Sequence, residues 1–266
     1  MFVFSYPSAN AFKLISGCSM LESLTLDVRV RQEDEEDYVF NIPTLKRLKL
    51  TSFKCGSWTH KVFLHVPNLE YLCVESLCSL FVMEDVSSLV EASVSLRHMP
   101  NIHPWVELLK GLNGVKSLLV ECLSSLIDFY SVTSSPPVFP NMKHLVLHDI
   151  GHFGQVLQFL ESSPELEQLC IDVNPYQQKP EEYGWVEPEL VPACMTTNLT
   201  TINFSISERW KCDIAFLKYM MGNAQVLKTL TVTWKKSSME KEKFCAEDVK
   251  LLPMASRYCE IQFHEK

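Results

Sequence analysis

The sequence predicts an α/β chain whose strands stack in parallel, and three observations carry that reading. Apolar residues recur in the order apolar, two variable, apolar, one variable, apolar, most clearly in Met142-Lys143-His144-Leu145-Val146-Leu147 after Phe139-Pro140-Asn141. Its fourth and sixth positions lie two apart and point to one side of a strand, while the residues between them point to the other. The unit then repeats: Leu21, Leu24 and Leu26, then Leu45, Leu48 and Leu50, then Leu69, Leu72 and Val74 keep one register 24 residues apart. Short helical patterns stand between some copies, as at Gln155 to Glu161. A lone strand of this kind cannot bury its apolar side, whereas stacked copies share one core. The expected architecture is a leucine-rich-repeat solenoid with a curved, mostly parallel sheet on its concave side and short helices or loops on its convex side.

Taken in order, Ser8 is placed to cap a helix in which Ala11, Phe12, Leu14 and Ile15 share one face, and Gly17 ends it. The first full copy follows at Leu21. Arg31 to Asp37, RQEDEED, is too polar to pack and reads as an acidic solvated loop, or as a docking tail for a basic partner. The second and third copies follow Ile42-Pro43 and Val66-Pro67. Leu89, Ala92 and Val94 form a weaker fourth. Val115, Leu118 and Val120 form a fifth, preceded by a helix from Pro104 to Lys110 with proline at its first turn and Gly111 beyond its end. Ser131 to Pro137, with three serines and two prolines, is a loop.

After the sixth copy, Gln155 to Glu161 turns Val156, Phe159 and Leu160 inward, and the seventh copy is Leu166, Leu169 and Ile171. Asn174 to Pro192 has four prolines and no period, which places the internal boundary there. Residues 1–174 are read as leucine-rich repeats, and 175–266 as a segment that continues and caps the stack. There the pattern resumes at wider spacing with Leu199, Ile202 and Phe204, then Leu227, Leu230 and Val232, then Tyr258, Ile261 and Phe263. Asp213 is expected to cap a helix carrying Ile214, Leu217 and Met221 and ended by Gly222, and a second helix runs from Ala246 to Leu252.

The 47% hydrophobic content excludes a largely disordered chain, and the formal charge of −8 argues against a general binder of nucleic acid or anionic membrane. Met1 to Tyr6 is apolar but has no positive flank and ends short of a signal-peptide core, and no later apolar run approaches a membrane span. The expected setting is intracellular, cytoplasm or nucleus. Ten cysteines occur without a C-x-x-C pair, several at strand positions, and read as reduced packing residues. The triplets at Asn198 and Asn203 match the glycosylation pattern but fall within an expected strand of a chain without a secretion signal.

Ile15-Ser-Gly-Cys18-Ser-Met-Leu21-Glu-Ser-Leu24-Thr-Leu26, Ile42-Pro-Thr-Leu45-Lys-Arg-Leu48 and Val66-Pro-Asn-Leu69-Glu-Tyr-Leu72 resemble the repeats of plant F-box proteins that carry leucine-rich repeats and a C-terminal FBD domain. The FBD pattern is matched by Trp185, Pro188, Val191-Pro192, Cys194, Leu199, Tyr219, Asn223-Ala224 and Leu227. Two departures stand out. Ser205 to Lys218 lacks the glycine usual between the first FBD strand and its helix, and no Leu-Pro-rich F-box segment precedes Phe12. The resemblance implies a solenoid closed by an FBD segment over 175–266, and a non-catalytic recognition module like the substrate-binding part of an F-box ubiquitin-ligase receptor. A ligase adaptor would then join only through a missing F-box or a longer isoform. The alternative is a free-standing repeat scaffold with no role in ubiquitylation. Without upstream repeats, Phe2 to Phe4 are expected to leave an apolar end poorly capped.

Phosphate-cradling and nucleophile or zinc-protease motifs are absent from the sequence, which points away from an enzyme and implies no cofactor. His148-Asp149 with His152 is the histidine cluster to weigh as a metal site, against surface histidines of a repeat; His144 and His148 share a strand face about 13 Å apart, too far for one zinc ion. Trp185 is either an interface anchor or a cover for the edge of the stack, and Trp58, Trp105, Trp210 and Trp234 read as packing residues. The informative surface is the concave one. Parity places Arg47, Lys49 and Thr51 there, then Tyr71, Cys73 and Glu75, then His144, Val146, His148, Gln168, Cys170 and Asp172. Of these, Arg47, Lys49, Tyr71, Glu75, His144, His148, Gln168 and Asp172 are the candidate partner-binding residues. Arg47 and Lys49 suit an acidic or phosphorylated segment of a target protein, and a solvated sheet face is the plain alternative.

Overall fold

A computed structural model describes residues 2–5, 14–29, 37–54, 61–75, 80–95, 103–121, 135–150, 152–173, 187–206, 210–234 and 246–265. They fall into two compact units: the first runs to Val120 and takes in the stretch ending at Phe139, and the second holds Glu121 and everything from Pro140 onward.

In the first unit, β1 (Phe2–Ser5), β2 (Ser23–Arg29), β4 (Arg47–Lys54), β6 (Tyr71–Glu75), β8 (Glu91–Ser95) and β9 (Ser117–Glu121) lie side by side in that order. From β1 to β8 the pairs run parallel, and the register is that of the leucine pattern: Leu24, Leu48, Leu72 and Ala92 face one another, as do Leu26, Leu50, Val74 and Val94. All eight are 1% exposed or less. Burying such a side chain contributes about 1.5–3 kcal/mol, so in-register stacking is the dominant stabilising term of each rung.

Two successive backbone N–H groups at each strand entry donate to one carbonyl of the preceding rung. Lys46 and Arg47 donate to Glu22, Glu70 and Tyr71 to Lys46, Val90 and Glu91 to Glu70, and Lys116 and Ser117 to Val90. Side chains after the prolines tie the same turns together: Thr44 Oγ1 donates to the Leu21 carbonyl at 2.9 Å and Asn68 Nδ2 to the Pro43 carbonyl at 2.8 Å.

The other side of this unit departs from expectation. Between β2 and β8 the chain returns not through the expected helices or loops but through a second parallel sheet, β3 (Tyr38–Asn41), β5 (Lys61–His65) and β7 (Leu80–Asp85), and between β8 and β9 the return is helical. Tyr38, Phe40, Val62, Leu64 and Phe81 alternate inward and are buried. These β-branched and aromatic runs alternate with period two, the signature of a half-buried strand. Helix α1 (His103–Gly111) packs against β7, and a Cβ on Gly111 would lie 2.6 Å from Met83 Sδ, so glycine permits the close approach. One detail of the N-terminal reading changes: Leu14, read as part of the apolar face of the first helix, is 76% exposed. Phe2–Ser5 pairs with β2 as the edge strand of the sheet, and residues 14–16 are helical, the earlier part of the expected helix lying outside the described residues.

The second unit keeps the rung and changes the return. β10 (His144–Ile150), β11 (Gln168–Val173), β12 (Thr201–Ile206), β13 (Thr229–Trp234) and β14 (Glu260–Glu265) are consecutive parallel neighbours. Leu145, Leu169, Ile202 and Leu230 align and are buried. Their backing is helical: α2 (Phe153–Glu161), α3 (Ala193–Thr197), α4 (Trp210–Asn223) and a turn of helix at 246–250. The Phe153 ring of α2 stacks on Phe216 of α4 with centroids 4.2 Å apart, and Phe204 of β12 completes the cluster at 6.1 and 5.9 Å. Offset-stacked aromatic pairs add about 0.5–1.5 kcal/mol beyond area burial.

Helix α4 begins three residues before the expected cap, so Asp213 is not its cap but a buried residue of the first turn, and Gly222 lies inside the last turn. Asn223 ends the helix, its Nδ2 donating to the Tyr219 carbonyl at 2.9 Å. The glycine-poor passage from β12 to α4 runs through residues 207–209, outside the described residues. Tyr258, read as the opening residue of a last copy, is 89% exposed, while Ile261 and Phe263 are half-buried.

Candidate functional site

Because the leucines turn to the core, the residues between them turn outward, and each unit presents an open sheet face. In the first unit the rows across the strands are Ser23–Arg47–Tyr71–Glu91 and Thr25–Lys49–Cys73–Ser93. Arg47 lies over the Tyr71 ring, its guanidinium carbon 4.3 Å from the centroid. Lys49 Nζ meets Glu75 Oε1 at 2.7 Å with both side chains about two-fifths exposed, and that hydrogen bond raises the Lys49 ammonium above its ordinary pKa. Burial pushes the Tyr71 phenol and the Cys73 thiol up. Cys73 departs from the expected exposed row: it is buried between its neighbours, and its Sγ lies 3.8 Å from Glu75 Oε1. Arg47, Lys49, Tyr71 and Glu75 thus form one cluster. Parity reasoning missed a fifth member. Glu91 holds the position in the fourth copy that Arg47 and Tyr71 hold in theirs, and the spacing Leu89-x-Glu91-Ala92 is the signal that places it there.

In the second unit His144 faces Gln168, and His148 faces Asp172. Beyond them the rows continue as Gln168–Thr201–Thr229–Glu260, Cys170–Asn203–Thr231–Gln262 and Asp172–Ser205–Thr233–His264. Ser205 and Thr233 hydroxyls share a hydrogen bond of 2.8 Å. His148 Nδ1 is 3.9 Å from Glu121 Oε1, beyond hydrogen-bond range. The eight candidates therefore divide four to each unit. In the first they contact one another through charge and ring; in the second they border a field of hydroxyls and amides.

His152, weighed as a metal ligand, caps α2 instead. Its extended backbone precedes the helix and its Nδ1 accepts from the Gly154 N–H at 3.0 Å. Burial holds the imidazole below its ordinary pKa, which keeps the accepting nitrogen unprotonated. Among the described residues no three His, Cys, Asp or Glu side chains are disposed around a metal position. Asn198, one of the two glycosylation matches, donates through Nδ2 to the Pro164 carbonyl at 3.0 Å. Trp105 is buried as expected of a packing residue. Trp185, Trp58, Arg31 to Glu36 and the Trp210 side chain lie outside the described residues; Asp37, at the end of the acidic run, accepts from the Lys61 N–H at 2.8 Å. Among the described residues no helix is long and apolar enough to cross a membrane.

Comparison with known proteins bears out the resemblance read from the motifs. The FBD family matches residues 187–232, which span α3, β12, α4 and the start of β13. Three relatives from Arabidopsis thaliana extend the likeness over most of the chain. An F-box/FBD/LRR-repeat protein is 29% identical over 85% of this chain, an F-box protein is 26% identical over 94%, and an FBD-associated F-box protein is 26% identical over 83%. The chain covers 54%, 59% and 57% of their lengths, so it spans somewhat more than half of the curated relatives it matches. No solved structure matches it.

Proposed function

We propose that this chain is a non-catalytic protein-recognition module: a leucine-rich-repeat solenoid over residues 1–174, continued and capped by an FBD segment over 175–266, that holds a target protein on its open sheet faces. The carrying observation is the separation of roles along each rung. Buried leucines hold the register, and the outward residues, Cys73 and Ser95 excepted, are half-buried or exposed and differ from rung to rung. Such a surface serves recognition by an array of side chains on rigid elements. The similarity to F-box/FBD/LRR-repeat proteins supports a setting in ubiquitin-ligase substrate selection, with this chain as the target-binding part. The targets are proteins of the cytoplasm or nucleus; nucleic acid and membrane are not partners.

A photoreactive residue placed at Lys49 or Gln168 should cross-link a protein target in plant cells, while the same residue at Lys218, exposed on α4, should not. Equal yields from all three positions would overturn the reading. Ligase components recovered together with the target would support that setting. A target recovered without them in every isoform supports a free-standing scaffold instead.

A further inference from the structure

We propose that the free edge of β14 docks an extended segment of another protein, which adds a strand there. That segment sets two apolar residues, two positions apart, beside Ile261 and Phe263, and a cation beside Glu260. The edge is distinct from the open sheet faces, and the proposal does not rest on them.

The buried columns of the second unit are unfinished at this strand. Leu230 faces Ile261 and Val232 faces Phe263. The inner members of the two columns, Leu169, Ile202 and Leu230 in one and Ile171, Phe204 and Val232 in the other, are no more than 1% exposed, while Ile261 and Phe263 are only half-buried. The Phe263 ring packs on Trp234 with centroids 5.8 Å apart and lies under Lys250 Nζ at 5.5 Å, and is still not covered. A terminal repeat closes such a stack with a polar outer face. Here the last strand presents isoleucine and phenylalanine, and Leu251 and Tyr258 in the segment leading into it are exposed.

The backbone says what kind of element completes the edge. Among the described residues β14 pairs with β13 alone. The Glu260 N–H donates to the Lys228 carbonyl at 2.8 Å, so alternation along the strand turns the N–H and C=O groups of Ile261 and Phe263 toward the open side. A helix spends its own backbone groups internally, whereas a strand can pair with that row and cover the two side chains at once. Charge sets the third residue. Glu260 is exposed and has no ion pair among the described residues, whereas Glu22 takes Lys46 and Glu167 takes Lys143 from the adjoining rung. A cation beside Glu260 repeats that pairing at the edge.

The test uses the intact chain and acetylated, amidated peptides built on Lys-Val-Thr-Val and on its reverse, Val-Thr-Val-Lys, which serve the two strand directions. Hydrogen exchange is read amide by amide by NMR. The Ile261 and Phe263 amides should exchange freely in the chain alone and be protected, saturably, by at least one of the two peptides. Lys-Val-Val-Thr, whose valines fall on opposite sides of a strand, should not protect them. Glu260→Lys should shift preference by about threefold to the peptide with glutamate in place of lysine, an outcome that a misfolded variant cannot produce. Failure of both alternating peptides to protect, or equal protection by Lys-Val-Val-Thr, would overturn the assignment. So would protection that grows with chain concentration in the absence of peptide, which would give the edge to a second copy of this chain.

Discussion

The two units lay down the same parallel rung and return to it by different routes. In the first, successive rungs are 24, 24 and 20 residues apart and the chain returns through the strands β3, β5 and β7. In the second they are 24, 33, 28 and 31 apart and the return is helical. An offset of 24 serves both, so length alone does not decide the backing. Local pattern does: Tyr38-Val39-Phe40 alternates with period two, whereas Val156, Phe159 and Leu160 fall at helical spacing. The open faces differ as well, one carrying the Arg47–Tyr71 stack and the Lys49–Glu75 pair and the other hydroxyls and amides bounded by histidines and acids. The lesson is that the leucine pattern dictates the inner sheet, and the backing and the open face vary independently upon it.

Charge placed in the leucine core of either unit is the strongest way to break this comparison. Leu48→Asp and Leu145→Asp each bury an unpaired carboxylate at positions no more than 1% exposed, and both should abolish a cooperative thermal transition. A retained transition for either would show that its rung is not part of the core. Removing the backing is the next largest change. Phe40→Ala in the first unit and Phe216→Ala in the second should each cost about 3–5 kcal/mol in denaturant titrations. Hydrogen exchange should rise in β3 and β5 for the first, and in α2 and β12 for the second; the reverse pattern would contradict the two backings.

A smaller effect belongs to the second unit through its histidine cap. His152→Ala should cost about 0.5–2 kcal/mol at neutral pH, as loss of an N-cap does. Since the folded imidazole is held below its ordinary value of 6.5, its contribution is fully present above that pH and fades as pH falls through the lowered folded value. The variant should therefore converge on the parent in acid, and a gap that is constant from pH 8 to pH 5 would remove His152 from the cap. Smallest of all, His144→Ala changes an outward side chain and should stay within about 0.5 kcal/mol.

Much of this was legible beforehand because the repeat spaces its core residues regularly. The inner strands, the helices at Pro104 and Gln155, and the outward parity of the eight candidates all follow from positions of leucines and helix punctuation. What was not legible depends on contacts between distant residues. The strands of the second sheet are short apolar runs that read equally well as loop or packed segment until three of them pair. Asp213 looks like a cap by residue type, yet Trp210 already lies in the helix and the carboxylate is drawn inside. The Arg47–Tyr71 stack and the Lys49–Glu75 pair need the 24-residue register to be known before either neighbour can be named, and Glu91 was overlooked because its copy carries alanine where leucine is usual.

The buried leucine wall of each unit is tested most directly by hydroxyl-radical footprinting, with each residue normalised to the unfolded chain. Leu24, Leu48, Leu72, Leu145 and Leu169 should all be protected almost completely, while His144, His148 and Tyr258 oxidise readily. Oxidation of any of the five leucines at a rate comparable to His148 would contradict the account.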